Sequence, residues 1–276
     1  MAAPKKQKAN KPYKKTPKVV KTKEEMLREK LLSDDFEFYT KEAYKTLRTK
    51  VTFSLPYDGC KKLLVTSSLA SEGKSTNCIN LGIAFAQTGS KICIVDCDLR
   101  RPNVHRLLGA NPVPGLSNVL VGMNSIDEAI RHSEYENLDY ICAGDIPPNP
   151  AELLGSERFA GFIEELEKKY DYIICDTCPV NIVTDTAIIA KVIPQAVVVT
   201  LQNSTERDAL REAVKQLEFA GAKIIGFILN GVEFDYKGGY KYRYGRKYYK
   251  AGGRYGANHS YGKGPYYKTK KAGSED

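Results

Sequence analysis

No run in this chain of 276 residues comes near the roughly 18 uninterrupted apolar residues that a membrane-spanning helix needs. The best stretch, Ala187 to Leu201, is broken by Lys191, Pro194 and Gln195. The basic start is not followed by the apolar core of a secretory leader, so the chain is expected to be cytoplasmic. Histidine is scarce, with only His105, His132 and His259. Cysteine is missing from both ends, and the seven that lie between are scattered, unlike a secreted disulfide framework. Cys175-x-x-Cys178 has redox or zinc spacing, but no second close cysteine pair accompanies it. These two are expected to be buried or site-lining thiols.

Charge is present but uneven. The formal total is +9, yet residues 26–235 hold 22 basic against 29 acidic side chains. The excess of positive charge sits at the ends: nine lysines in residues 1–25 and eleven Lys or Arg in residues 236–276. Residues 1–23 have almost no large apolar side chains and are expected to be disordered. Ten of the eighteen tyrosines fall in the last segment, interleaved with Gly, Lys and Arg and without a period of 2 or 3.6, as in a flexible tail. Three parts follow: a basic disordered segment (1–25), a globular domain (26–235) and a basic tyrosine-rich tail (236–276).

Within the middle part, Glu24 to Arg48 has a helical pattern, interrupted near Ser33-Asp34-Asp35. Short apolar or β-branched runs then follow at Lys62–Thr66, Ile92–Val95, Leu138–Cys142, Tyr172–Cys175, Ala196–Leu201 and Ile224–Leu229. Helical patterns lie between them at Ser75–Gln87, Ile126–His132, Glu152–Tyr170, Thr184–Val192 and Glu206–Ala220. Near-continuous apolar strands separated by helices predict a mostly parallel sheet covered on both faces, an α/β fold of three layers.

The first strand runs into Ser67-Ser68-Leu69-Ala70-Ser71-Glu72-Gly73-Lys74-Ser75-Thr76 and then a helix. Strand, loop and helix in this order make a phosphate site, because backbone N–H groups and a helix N-terminus face the anion. Ser71 to Thr76 are expected to cradle a nucleoside triphosphate, ATP, with Lys74 on the β and γ phosphates and Ser75 offering its hydroxyl to Mg²⁺. The usual pattern has glycine where this chain has Ser68. Two further strands end in acids: Asp96 and Asp98 follow Ile92–Val95, and Asp176 follows Tyr172–Cys175. Carboxylates at the carboxyl ends of parallel strands stand in the ligand crevice, where Asp96 and Asp98 could each hold Mg²⁺ through its waters or accept a proton, and Asp176 has the form of an acid that organises Mg²⁺.

These motifs resemble the bacterial tyrosine kinases linked to capsule and exopolysaccharide production. The resemblance spans about Tyr39 to Val232 and the tail. It is carried by Glu72-Gly73-Lys74-Ser75-Thr76, Asp96-x-Asp98-x-Arg100-Arg101-Pro102, Asp176-Thr177-Cys178-Pro179, Gly115-Leu116-Ser117 and Pro147-Pro148-Asn149-Pro150-Ala151-Glu152-Leu153-Leu154. It implies a P-loop kinase fold, with Lys74 and Ser75 as the Walker A lysine and hydroxyl, Asp96 and Asp98 as the Walker A′ acids and Asp176 as the Walker B acid. The family usually has proline where this chain has Cys178. Glu42, Lys45 and Arg48 match the helical E-x-x-R-x-x-R signature that implies ring assembly, with lysine replacing one arginine and so losing its bidentate fork. The implied acceptors are the tail phenols of Tyr236, Tyr240, Tyr242, Tyr244, Tyr248, Tyr249, Tyr255, Tyr261, Tyr266 and Tyr267. The implied partners are a separate transmembrane activator that recruits the kinase to the inner face of the membrane, protein-tyrosine substrates and a cognate tyrosine phosphatase. One competing class is the partition or septum-placement ATPase, which carries a signature lysine at the start of the loop; here the loop opens Ser67-Ser68-Leu69. The other is a nucleic-acid binder using its basic, aromatic ends, for which the sequence holds no firm sign.

Overall fold

The computed structural model describes residues 23–33 and 36–232. The basic start up to residue 22 and the tyrosine-rich tail, with all ten expected phosphoacceptors, lie outside them. In chain order the elements are α1 (Lys23–Arg28), α2 (Phe38–Ser54), β1 (Lys61–Ser67), α3 (Lys74–Ala86), β2 (Ile92–Asp96), α4 (Val104–Leu108), α5 (Leu116–Leu120) and α6 (Ile126–Ala129). They continue with β3 (Arg131–His132), β4 (Leu138–Ile141), α7 (Pro150–Leu154), α8 (Glu157–Glu167), β5 (Tyr172–Asp176), α9 (Asp185–Ile189), β6 (Gln195–Leu201), α10 (Arg207–Phe219) and β7 (Lys223–Asn230).

Seven strands form one sheet in the order β3-β4-β2-β5-β1-β6-β7, parallel throughout except for the β3–β4 pair. β2 and β5 are buried along their whole length, which is why their sequences are apolar at every position and do not alternate. Side chains still divide between the two faces. Leu64 of β1 joins Phe159, Phe162 and Ile163 of α8 and Leu217 of α10 on one side. Leu63 and Val65 join Ile79 and Ile83 of α3, Val51 of α2 and Leu107 of α4 on the other. The expected three layers are therefore present.

The order of the central strands sets the site. β5 returns to lie between β1 and β2, so the ends of all three stand side by side, with Asp176 level with Val65 on one flank and with Asp96 on the other. Such a crevice at the carboxyl edge is where ligands of open α/β sheets bind.

Three expected helices need correction. The helix expected over Glu152–Tyr170 is two, because Gly155 ends α7 and the Ser156 hydroxyl caps α8 by accepting from Phe159 N–H. The one expected over Ile126–His132 stops at Ala129, and Arg131 and His132 pair as β3 with Tyr140 and Asp139. There the sheet edge and the Arg131 contact with the Val113 carbonyl override a local helical pattern. In the third, α1 begins at Lys23, inside the segment expected to be disordered, and α2 runs past Arg48 to Ser54.

Two asparagines on α3 bind the N-terminal segment to that helix. Buried Asn80 accepts from Leu32 N–H at 2.7 Å and donates to the Lys30 carbonyl and to the Tyr44 hydroxyl, both at 3.0 Å. The Tyr44 hydroxyl donates in turn to Asn77 at 3.0 Å. Asn80→Ala strands the buried Leu32 N–H, and urea unfolding should register a loss of about 2–3 kcal/mol; a change below about 0.5 kcal/mol would contradict this role.

Candidate functional site

The phosphate loop joins β1 to α3 through backbone conformations that its sequence makes possible at a few positions. Gly73 precedes the helix at φ 92°, and a Cβ there would stand 2.1 Å from the Asn230 amide nitrogen. Only glycine suits that place, on both counts. Asn230 sits at the end of β7 and donates to the Glu72 carbonyl at 3.0 Å. Ser71 also lies in the left-handed region, with φ 66°.

Lys74, Asp96, Asp98 and Asp176 meet as the strand order requires. The Lys74 amine is 2.8 Å from Asp98 and 3.5 Å from Asp176, and its side chain is 11% exposed against 4% and 0% for theirs. Burial works against the Lys74 charge, but the fields of Asp176 and Asp98 outweigh it and raise the amine's pKa. Burial likewise works to raise the Asp98 carboxyl. The Lys74 charge, with hydrogen bonds from Lys74, Cys178 and Arg101, prevails and holds it below the ordinary carboxylate value.

The other two acids behave in the opposite sense. Asp96 is pushed up to about 8, by burial first and then by Asp176, and the three N–H bonds it accepts do not compensate. Those bonds come from Asp98 at 3.2 Å, Asn103 at 3.1 Å and Val104 at 3.0 Å, so Asp96 fixes the loop between β2 and α4. Asp176 is also raised, by burial above all, against Lys74 and a Ser75 hydrogen bond. Its Oδ2 is buried without a partner. A buried carboxylate oxygen left open beside a hydroxyl and further carboxylates is a donor set for a hard divalent cation, so the residues fit Mg²⁺. No three His, Cys, Asp or Glu side chains among the described residues are grouped to hold a metal unaided, as suits an ion that keeps waters and substrate phosphates in its shell.

Several participants were not legible in the motifs. The Cys178 thiol donates to Asp98 Oδ1 at 3.0 Å, and its pKa is raised by burial and then by Asp98. Arg100 forms a two-pronged bond to buried Asp185 at the start of α9, at 2.8 and 3.0 Å, tying the segment after β2 to the segment after β5. The arginine stands in the D-x-D-x-R motif, but nothing local marks its partner 85 positions on. Of the expected assembly residues, Glu42 and Lys45 pair with each other at 2.7 Å on the exposed face of α2. Arg48 instead donates to the Ala84 carbonyl in the last turn of α3 at 2.6 Å, satisfying a helix-end acceptor.

A parallel sheet with a phosphate loop and acidic strand ends at its switch point defines a P-loop nucleotide-binding protein. Residues 68–217 match the AAA domain family. The chain is 36% identical over 206 residues to the tyrosine-protein kinase YwqD of Bacillus subtilis, covering 75% of this chain and 86% of that one. Among solved structures it is similar to the chimerical protein CapA2B2, with a TM-score of 0.67 and 34% identity over 70% of this chain and 85% of that one. It is also similar to the kinase domain of the Escherichia coli tyrosine kinase ETK, with a TM-score of 0.66 and 29% identity over 72% and 80%. The septum site-determining protein MinD of Pyrococcus horikoshii, complexed with Mg-ADP, is less similar, at a TM-score of 0.52 and 28% identity over 61% and 69%. The chain belongs to the bacterial tyrosine-protein kinase family. No helix among its described residues is long and apolar enough to cross a membrane.

Because Asp96 holds its proton longer folded than unfolded, folding stability declines as pH rises from about 4, the unfolded carboxylate value, to about 8. Asp98, lowered by its partners, opposes this only at the acidic edge of the window, where its unfolded carboxyl still takes up protons. Urea unfolding of the nucleotide-free protein should therefore show stability falling toward pH 8, and Asp96→Asn should flatten the decline. An equal slope in both proteins would contradict the assignment.

Proposed function

We propose that the chain is an ATP- and Mg²⁺-dependent protein-tyrosine kinase whose first acceptors are the tyrosines of its own tail. The observation that carries this is the Lys74 amine held between Asp98 and Asp176 at the mouth of the phosphate loop, with Asp176 Oδ2 open beside it. Ser71 to Thr76 receive the phosphates. Ser75 and Asp176 would hold Mg²⁺ directly, with Asp96 orienting its waters. The ion supplies neutralisation of phosphate charge when bound.

Lys74 has two roles in this scheme. In the free protein it offsets the buried acids. With nucleotide present it turns to the β and γ phosphates and stabilises the charge on the transferred group. That turn frees Asp98 Oδ2 and removes the field that lowers its pKa, so the carboxylate becomes a better proton acceptor as the substrate arrives. The phenol oxygen of tyrosine then bonds to the γ-phosphorus, the bond to the ADP oxygen breaks, and the phenol proton passes to Asp98 Oδ2. A phenol with an ordinary pKa of about 10 needs such an acceptor at neutral pH.

Residues 26–235 make up the kinase domain in this proposal. The segment at 1–25 and the tail at 236–276 are its basic appendages. Tail tyrosines from Tyr236 to Tyr267 reach a neighbouring site within a ring built on the α2 face of Glu42, Lys45 and Arg48, where effective concentration favours transfer between copies. A separate transmembrane activator recruits the kinase to the inner face of the membrane. There the kinase governs capsular or exopolysaccharide synthesis, and a cognate phosphatase resets it.

Incubation with Mg-ATP followed by peptide mapping by mass spectrometry should find phosphate on tyrosines between Tyr236 and Tyr267. Lys74→Met should lower the label by at least about a hundredfold. An unlabelled tail in a protein that turns over ATP would falsify the kinase proposal.

A further inference from the structure

The phosphate loop departs from the usual pattern at Ser68, and the surroundings of that residue show how the difference is used. Ser68 is fully buried, and its hydroxyl lies 3.0 and 3.1 Å from the two carboxylate oxygens of Glu72. Glu72 is 3% exposed. Its Oε2 also accepts from Leu69 N–H at 3.0 Å, and its Oε1 from the Thr205 hydroxyl. Thr205 itself accepts from Leu201 N–H at 2.7 Å, at the end of β6. With the Asn230 bond to the Glu72 carbonyl, one residue ties the loop to the ends of both β6 and β7.

A carboxylate engaged by two donors inside the loop and a third beyond β6 is not a phosphate ligand, and beside a polyphosphate its charge would only repel. Its effect on binding runs through the backbone. A phosphate cradle works when its N–H groups are already aimed, because a loop that must be ordered on binding spends affinity on that ordering. Glycine at position 68 would leave Glu72 without its only hydroxyl partner inside the loop.

We propose that Glu72 is a positioning residue: its carboxylate, through Ser68, Leu69 and Thr205, holds the phosphate loop in its binding shape before nucleotide arrives. This rests on the loop being the nucleotide site. Diphosphate and triphosphate are affected alike, since both use the loop, and the transfer step is spared. The contribution of Ser68 passes entirely through Glu72.

The test measures Mg-ADP affinity by calorimetry, steady-state kinetics with ATP, and the melting temperature of the free protein, all on the full chain. Glu72→Gln should weaken ADP binding about tenfold and raise KM for ATP in step, with kcat within about twofold of wild type. Ser68→Gly should weaken ADP about threefold in the wild-type background and have no effect in the Glu72→Gln background. Thr205→Val should act like Glu72→Gln, and Thr205→Ser should restore wild-type affinity. If Glu72→Gln does not fold, the Thr205 pair carries the test by the same split between KM and kcat. Equal effects of Ser68→Gly in both backgrounds overturn the proposal, as does a fall in melting temperature at unchanged ADP affinity. A wild-type chain that binds no Mg-ADP would overturn the nucleotide site itself, a different result from a failed clamp.

Discussion

One lysine charge among three buried carboxylates is the constraint from which the rest of the structure follows. Carboxylates at the ends of β2 and β5 are enclosed by the sheet, and a buried charge without a partner is costly. Lys74 answers two of them, Asp98 and Asp176, and Asp96 takes three backbone N–H groups instead. Burial, joined at Asp96 by the field of Asp176, still raises the carboxyl pKa values of Asp96 and Asp176. A cluster so arranged is stable enough to fold and is completed by added positive charge, which is the electrostatic condition for a metal-nucleotide site.

The loops above the sheet are built to hold that cluster still. Arg100 and Asp185 join the segments after β2 and β5, and the Thr66 and Thr186 hydroxyls both donate to the Cys178 carbonyl at 2.7 Å. Cys178 then places its thiol on Asp98, a contact that the family's usual proline has no donor to make. On the other side, Glu72 and Asn230 bind the phosphate loop to β6 and β7.

Much of the frame was legible in the sequence because it depends on local pattern. β2 and β5 are apolar throughout because they are fully buried, and the other principal strands carry apolar or β-branched runs, so all six fell within a residue or two of their observed bounds. The phosphate loop and Asp96, Asp98 and Asp176 were found because strand-end chemistry is local too. What escaped was set by distant partners. β3 exists because Tyr140 and Asp139 offer it an edge, and Asp185 matters because Arg100 reaches it. Glu72 was expected among the phosphate contacts, yet its carboxylate is folded back onto Ser68, Leu69 and Thr205. Arg48, in the helical signature of assembly, also serves the end of α3 in its own chain, a contact that its spacing did not show. A side chain's type and spacing suggest what it can bind, while the packed neighbours decide what it does bind.

The central claim is that Lys74 is held by Asp98 and Asp176 until nucleotide and metal take its place. A crystal structure of the protein with Mg²⁺ and a non-hydrolysable ATP analogue tests it most directly. The account predicts Lys74 withdrawn from Asp98 onto the phosphates and the metal seated at Ser75 and Asp176 Oδ2. Lysine still paired with Asp98, and no metal at Asp176 in a nucleotide-filled site, would contradict it.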